Sequence, residues 1–192
     1  MAEQKFNDET FEKQDFSRQS LCGNDYDACT FQGVNFQGAD LSDAIFTECE
    51  FIGCDLTNVK LINCALRDVS FVQCKLMGLA FDSCNEFLFN VRFERSQLDL
   101  SQFYERKLKS TKFTDCSLKE VEFTGADLSH TTFEGSDLMM AKFENTNLEK
   151  CDFRTAYNFS IDPTDNRVKG ARFSEDGLRG LVEVFQVEIS NS

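Results

Sequence analysis

The chain has 192 residues, 33 Asp+Glu against 20 Lys+Arg, a formal net charge of −13, and 41% hydrophobic residues. This is a globular balance, long enough to bury a sizeable core, and its acidity argues against direct nucleic-acid binding because phosphates repel carboxylates. No apolar run approaches the roughly 18 residues of a membrane span. The first residues, MAEQKFNDETF, carry no apolar signal region, and an odd count of nine cysteines favours a reducing cytoplasm over a disulfide framework.

From Phe6 onward the sequence repeats with a period of five. Phe6, Phe11, Phe16, Leu21, Tyr26, Phe31, Phe36, Leu41, Phe46, Phe51, Leu56, Leu61, Leu66, Phe71, Leu76 and Phe81 all occupy one slot, denoted i. Two residues before each, slot i−2 holds small or β-branched side chains such as Cys29, Val34, Ala39, Cys54 and Val69. Residues two apart on extended chain face the same way, so both slots point inward. All seven glycines of the repeat region, Gly23, Gly33, Gly38, Gly53, Gly78, Gly125 and Gly135, fall at i+2, a slot shared with Asn58, Asn63 and Asn145. A recurrent Gly/Asn position implies a turn that needs positive φ.

Near residues 84–88 the register slips by two residues, read here as a simple bulge, and the series resumes at Leu88. It runs through Phe93, Leu98, Phe103, Leu108, Phe113, Leu118, Phe123, Leu128, Phe133, Leu138, Phe143 and Leu148 to Phe153. A period of five suits neither a helix nor a flat strand; extended pieces bent every five residues make a four-cornered coil that closes every 20 residues. At that spacing Leu88, Leu108, Leu128 and Leu148 form one column and Phe93, Phe113, Phe133 and Phe153 the next. Like residues are therefore expected to stack at about 4.8 Å, the spacing of paired strands. The coil is assigned to residues 1–156 and a C-terminal capping or dimerisation segment to 157–192. In that segment Ser174 reads as a helix N-cap, Leu178, Leu181, Val182 and Phe185 fall at helical spacing, and Val187 and Ile189 alternate as in a strand. It either caps the coil or joins two chains about a two-fold axis.

Ala39-Asp40-Leu41, Cys54-Asp55-Leu56, Ala126-Asp127-Leu128, Ser136-Asp137-Leu138, Thr146-Asn147-Leu148 and Cys151-Asp152-Phe153 match the pattern A(D/N)Lxx. The sequence thus resembles the pentapeptide-repeat family over about residues 4–153. The resemblance implies an all-β solenoid, a right-handed quadrilateral β-helix, here with a short C-terminal helix and strand. The tail, through Tyr157-Asn158-Phe159-Ser160-Ile161-Asp162-Pro163 and Ala171-Arg172-Phe173-Ser174, is similar to Qnr-type and McbG-type topoisomerase-protecting proteins. That likeness implies a cytoplasmic homodimer, with Leu178, Leu181, Val182, Phe185, Val187 and Ile189 at the dimer interface. It also implies an acidic rod that imitates B-form DNA, binds DNA gyrase or topoisomerase IV, and protects it from quinolones or peptide toxins.

No constellation points to catalysis, a cofactor or a metal. Eight of the nine cysteines sit in slot i−2 and read as small core residues, and no CxxC pair exists for zinc. His130, the single histidine, occupies an outward i+2 slot. Arg106, in an inward i−2 slot, breaks the pattern and marks a local distortion. What remains is charge: residues 1–154 hold 27 Asp+Glu and 16 Lys+Arg, net −11. Spread over a coil of about 36 Å, that is about one charge per 3.3 Å, half the density of duplex DNA at about one per 1.7 Å. The candidate acidic surface is Glu94, Asp115, Glu120, Asp127, Glu134, Asp137, Glu144, Glu149 and Asp152, with Glu94 and Glu134, and Glu144 and Glu149, as rows of a stripe. The alternative reading is an acidic repeat scaffold for another protein.

Overall fold

Each five-residue step buries one large side chain and then turns a corner with backbone in the left-handed region. Slot i+2 has positive φ whether it holds glycine (Gly33, 62°) or a substituted residue (Asp43, 59°; Asn58, 57°; His130, 63°; Met140, 59°). Repetition of that corner makes a right-handed quadrilateral β-helix in the computed structural model, which describes residues 4–188. On one face β1 (Lys5–Asn7), β3 (Asp25–Asp27), β5 (Ile45–Thr47) and β7 (Ala65–Arg67) pair in parallel. On the next, β2 (Thr10–Glu12), β4 (Thr30–Gln32), β6 (Glu50–Ile52), β8 (Val69–Val72), β9 (Val91–Glu94), β10 (Lys112–Thr114) and β11 (Thr132–Glu134) form a seven-stranded sheet. The other two faces are held by single parallel bridges 20 residues apart, such as Asp15↔Asn35 and Asp40↔Lys60.

Inside, like side chains superpose turn upon turn. The rings of Phe93, Phe113, Phe133 and Phe153 stack with centroids 5.2, 5.1 and 4.9 Å apart and interplanar angles of 9°, 4° and 14°. Phe81, Phe103, Phe123 and Phe143 form a parallel stack, met edge-on by the first, as at Phe103–Phe113 (85°). Offset stacking along a column and edge-to-face contact between columns both suit the ring quadrupole. Leu108, Leu128 and Leu148 are buried in their own column.

Slot i−2 supplies more than small volume. Its thiols and hydroxyls donate to the carbonyl of an inward residue one turn below: Cys54 Sγ to Phe31 O (3.2 Å), Cys74 Sγ to Phe51 O (3.3 Å), Thr131 Oγ1 to Leu108 O (2.8 Å) and Thr146 Oγ1 to Phe123 O (2.9 Å). Each link spans 23 residues. Buried carbonyls need partners, and a side chain limited to one donor and little bulk meets that need without crowding the rings.

Leu88 does not join the core stack expected of it. Its φ is 58° and it is 64% exposed. The Phe89 amide donates to Glu86 O (3.3 Å), which closes a turn that puts Leu88 on the left-handed corner, and such corners point outward. Phe89 packs against the core in its place. The slip lengthens the 20-residue spacing to 22, as in Val69↔Val91 and Lys75↔Gln97.

The coil also continues past the expected boundary at 156. Asn147↔Arg167 and Asp152↔Arg172 are bridged, and Phe173 stacks on Phe153 at 5.2 Å and 1°. Asn158 at a corner (φ 59°) and a loop through Pro163 interrupt the five-residue pattern, yet Val168 and Phe173 lie 20 residues beyond Leu148 and Phe153, so the columns resume. A short helix, α1 (Arg179–Val182), flanked by two 3-10 turns, follows. The Gly177 amide donates to Ser174 Oγ at 3.1 Å, the capping contact its position suggests. Val187 is not in a strand, and Ile189 lies outside the described residues.

Candidate functional site

The described residues contain no cluster of three or more His, Cys, Asp or Glu able to hold a metal. The candidate site is therefore the charged exterior and the C-terminal end. The nine acidic residues named above are spread around the coil. Glu94, Glu134 and Asp152 flank the Phe113 column, Asp137 and Glu120 flank Leu118 and Leu138, Glu144 follows Phe143, and Glu149 follows Leu148. The expected stripe fails for a geometric reason: one five-residue step turns the chain by a face, so Glu144 and Glu149 lie on adjacent faces and Glu134 on another. Glu94 and Glu134 do share a column, with Thr114 between them.

Several of these carboxylates are also engaged. Asp137 pairs with Lys119 (3.4 Å), Glu149 with Arg167 (2.7 Å), Glu94 with Arg95 (2.8 Å) and Asp152 with Arg154 (2.7 Å). Hydrogen bonds from the Arg154 guanidinium and backbone amide, with the nearby charge of Arg172, hold the Asp152 carboxyl below the usual range. Asp127 and Asp137 accept backbone amides two residues on, from Ser129 (3.0 Å) and Met139 (3.2 Å), which secures the corner turn. The aspartate of the repeat pattern thus has a local structural role.

The most one-sided acidic surface follows the column Leu41, Leu61, Phe81, Phe103, Phe123 and Phe143. It carries Asp40, Asp43, Asp82, Glu105, Glu122 and Glu144 against Lys60 and Lys142, six acids and two bases, net −4. Both lysines reach carboxylates on this same face, Lys60 to Asp40 (3.8 Å) and Lys142 to Glu122 (3.2 Å). Only Glu144 of the nine expected residues belongs to it; its other acids become legible only once the four columns are counted out by face.

At the other candidate region, Leu178, Phe185 and Val187 are exposed and Leu181 and Val182 half-buried. Val182 and Val187, with Met139 and Tyr157 of the last coils, also exposed, border a groove of about 660 Å³.

A four-faced parallel solenoid wound in five-residue steps defines a repeat protein of the β-helix class. The match is to the families described as Pentapeptide repeat region, over residues 44–123, and Pentapeptide repeats (8 copies), over residues 116–154. The chain belongs to the pentapeptide-repeat family. Among solved structures it is similar to QnrB1, a plasmid-mediated fluoroquinolone resistance protein, in a trypsin-treated variant form, at 25% identity over 97% of this chain and 90% of that one, TM-score 0.42. It is also similar to HetL, a pentapeptide-repeat protein involved in heterocyst differentiation regulation in the cyanobacterium Nostoc sp. strain PCC 7120, at 13% identity over 90% and 86%, TM-score 0.58. A third is a pentapeptide-repeat protein of the Arabidopsis thaliana thylakoid lumen, at 21% identity over 72% and 67%, TM-score 0.27. No curated protein matches the chain.

Proposed function

We propose that this protein is a cytoplasmic, non-enzymatic homodimer that binds DNA gyrase or topoisomerase IV in place of duplex DNA. The observation that carries the reading is the rod itself: net charge −13, a hydrogen-bonded parallel ladder, and one face of net −4 running the length of the coil. A basic DNA-binding saddle accepts such a rod by electrostatic complementarity, and a preordered partner loses little conformational freedom on docking. Two copies joined through Leu178, Phe185 and Val187 would double the rod's length and present acid on both sides of a two-fold axis. Bound this way, the protein competes with DNA, and so it inhibits the topoisomerase or dislodges a drug-stabilised cleavage complex.

The test is gyrase supercoiling with and without ciprofloxacin. Inhibition of supercoiling, or rescue from the drug, at micromolar protein supports the reading. No inhibition, no rescue and no binding would leave the alternative, an acidic scaffold for a different protein.

A further inference from the structure

The bulge at 84–90 interrupts both the coil and its charge. Residues 84–112 hold six Lys+Arg and four Asp+Glu, net +2, in a chain of net −13. Phe87 and Leu88, adjacent and 66% and 64% exposed, project from this stretch. The loop that carries them is tied down: the Phe87 amide donates to Asn85 Oδ1 (2.9 Å) and Asn85 Nδ2 to Asn63 Oδ1 (2.8 Å). Arg67 lies on one side, its guanidinium 5.6 Å from the Phe87 ring centroid. Lys107 and Lys109 flank Leu108 on the next turn of the same face, both exposed. Arg67, Lys107 and Lys109 form no ion pair among the described residues, whereas Lys60, Lys75, Lys119 and Lys142 each meet a carboxylate within 3.8 Å.

We propose that this bulge docks a short acidic segment of a partner protein, with Phe87 and Leu88 taking an apolar side chain of that segment and Arg67, Lys107 and Lys109 its carboxylates. Exposed apolar side chains flanked by three uncommitted cations, against the acids Glu86 and Glu105 beside Lys107, complement such a segment. Because the loop is already hydrogen-bonded, binding orders little of it. Length selects protein over nucleic acid. The basic band from Arg67 through Phe87 to Lys109 covers two to three turns, roughly 10–15 Å of axis, and residues 1–66 beside it hold 12 Asp+Glu against 4 Lys+Arg, net −8. A polynucleotide would run off the band onto that acid, while a short peptide ends inside it. The inference does not depend on topoisomerase binding.

The probe is a fluorescent four-residue peptide, Asp-Leu-Phe-Glu, about 13 Å long when extended and so contained within the band, followed by anisotropy at low salt with the full-length protein. Binding is expected to weaken at least about tenfold in K107E/K109E and about threefold or more in F87S, and to be unchanged in K13E, on another face at the first turn of the coil. All these positions are exposed, and unchanged melting of each variant checks its fold. No binding at millimolar protein, or equal binding by K107E/K109E and F87S, overturns the proposal. So does tighter binding of a thymidine 15-mer that is lost in the same variants, which would make the bulge a nucleic-acid site.

Discussion

The guanidinium of Arg106 lies 5.0 Å from the centroid of the Phe89 ring, and these two side chains together fill the coil where the repeat slips. Arg106 Nε donates to Phe81 O at 2.8 Å, and its Nη2 donates to Asp82 O at 3.0 Å and to Cys84 O. The first of these bonds spans 25 residues, as do Ser96 to Phe71 O and Ser101 to Leu76 O across the same slip. Arg106 is therefore the i−2 donor of its turn, extended to reach the carbonyls that the two extra residues push out of register.

Arg106→Ala removes that donor set and leaves buried carbonyls without partners, at a cost of about 3 kcal/mol. Arg106→Ser restores a donor of the kind found at Ser96 and Ser101, but not the contacts to Asp82 and Cys84. Denaturant melts are expected to rank wild type above Arg106→Ser and Arg106→Ser above Arg106→Ala. Equal stability of all three would show that the bulge does not depend on this side chain.

Phe113 is sandwiched between Phe93 and Phe133 and is completely buried. Phe113→Ala opens a void in a stack that cannot close without moving the ladder, so a loss of about 3–5 kcal/mol is expected. A change at exposed Ile62 on the same coil is expected to stay within about 0.5 kcal/mol. Calorimetric or denaturant unfolding of both variants measures the contrast.

This contrast also shows what the sequence makes legible. Phe113, Leu128 and Gly135 announce their slots by spacing alone, because backbone pairing every 20 residues forces like onto like. Leu88 misled because two registers overlap there: by spacing from Phe93 it is an inward residue, and by the turn begun at Glu86 it is a corner. Arg106 stood out as a violation, but its role requires knowing which carbonyls the slip leaves open. The acidic face was hidden for a related reason, since neighbours on one face are 20 residues apart and eye-catching pairs such as Glu144 and Glu149 are on different ones.

The cysteines give a prediction with a pH sense. Burial pushes the thiols of Cys49, Cys84 and Cys151 up to about 12 and that of Cys116 to about 11, above an ordinary thiol. Raised native values mean that the unfolded chain ionises first. The stabilisation is complete below about pH 8.5 and is lost as pH rises through the native values. At pH 8 a thiol reagent is expected to label exposed Cys22 quickly and the other eight only after unfolding. Rapid labelling of two or more in the folded protein would contradict their place in the core.

Gly180 sets the docking of the C-terminal segment. A β-carbon there would lie 2.3 Å from Phe159 O and 2.7 Å from the Phe159 ring, and the Gly180 carbonyl accepts the Ile161 amide at 2.8 Å. Gly180→Ala is expected to displace α1 while the coil persists. Proteolysis should then reach the tail, and sedimentation should show the proposed homodimer shifting to monomer, with little change in far-ultraviolet dichroism. In contrast, Gly53 has open space around its missing β-carbon but a φ of 62°. Gly53→Ala therefore isolates the backbone term, about 1–2 kcal/mol, and should leave association untouched.

The most direct measurement is equilibrium displacement of a fluorescent DNA duplex from gyrase by this protein across a salt series. Competition for the DNA saddle predicts full displacement at micromolar concentration, weakening steeply as salt rises, and loss of displacement when Asp40, Asp43, Glu105, Glu122 and Glu144 are replaced by their amides. A duplex that stays bound at saturating protein, or displacement indifferent to those five carboxylates, would contradict it.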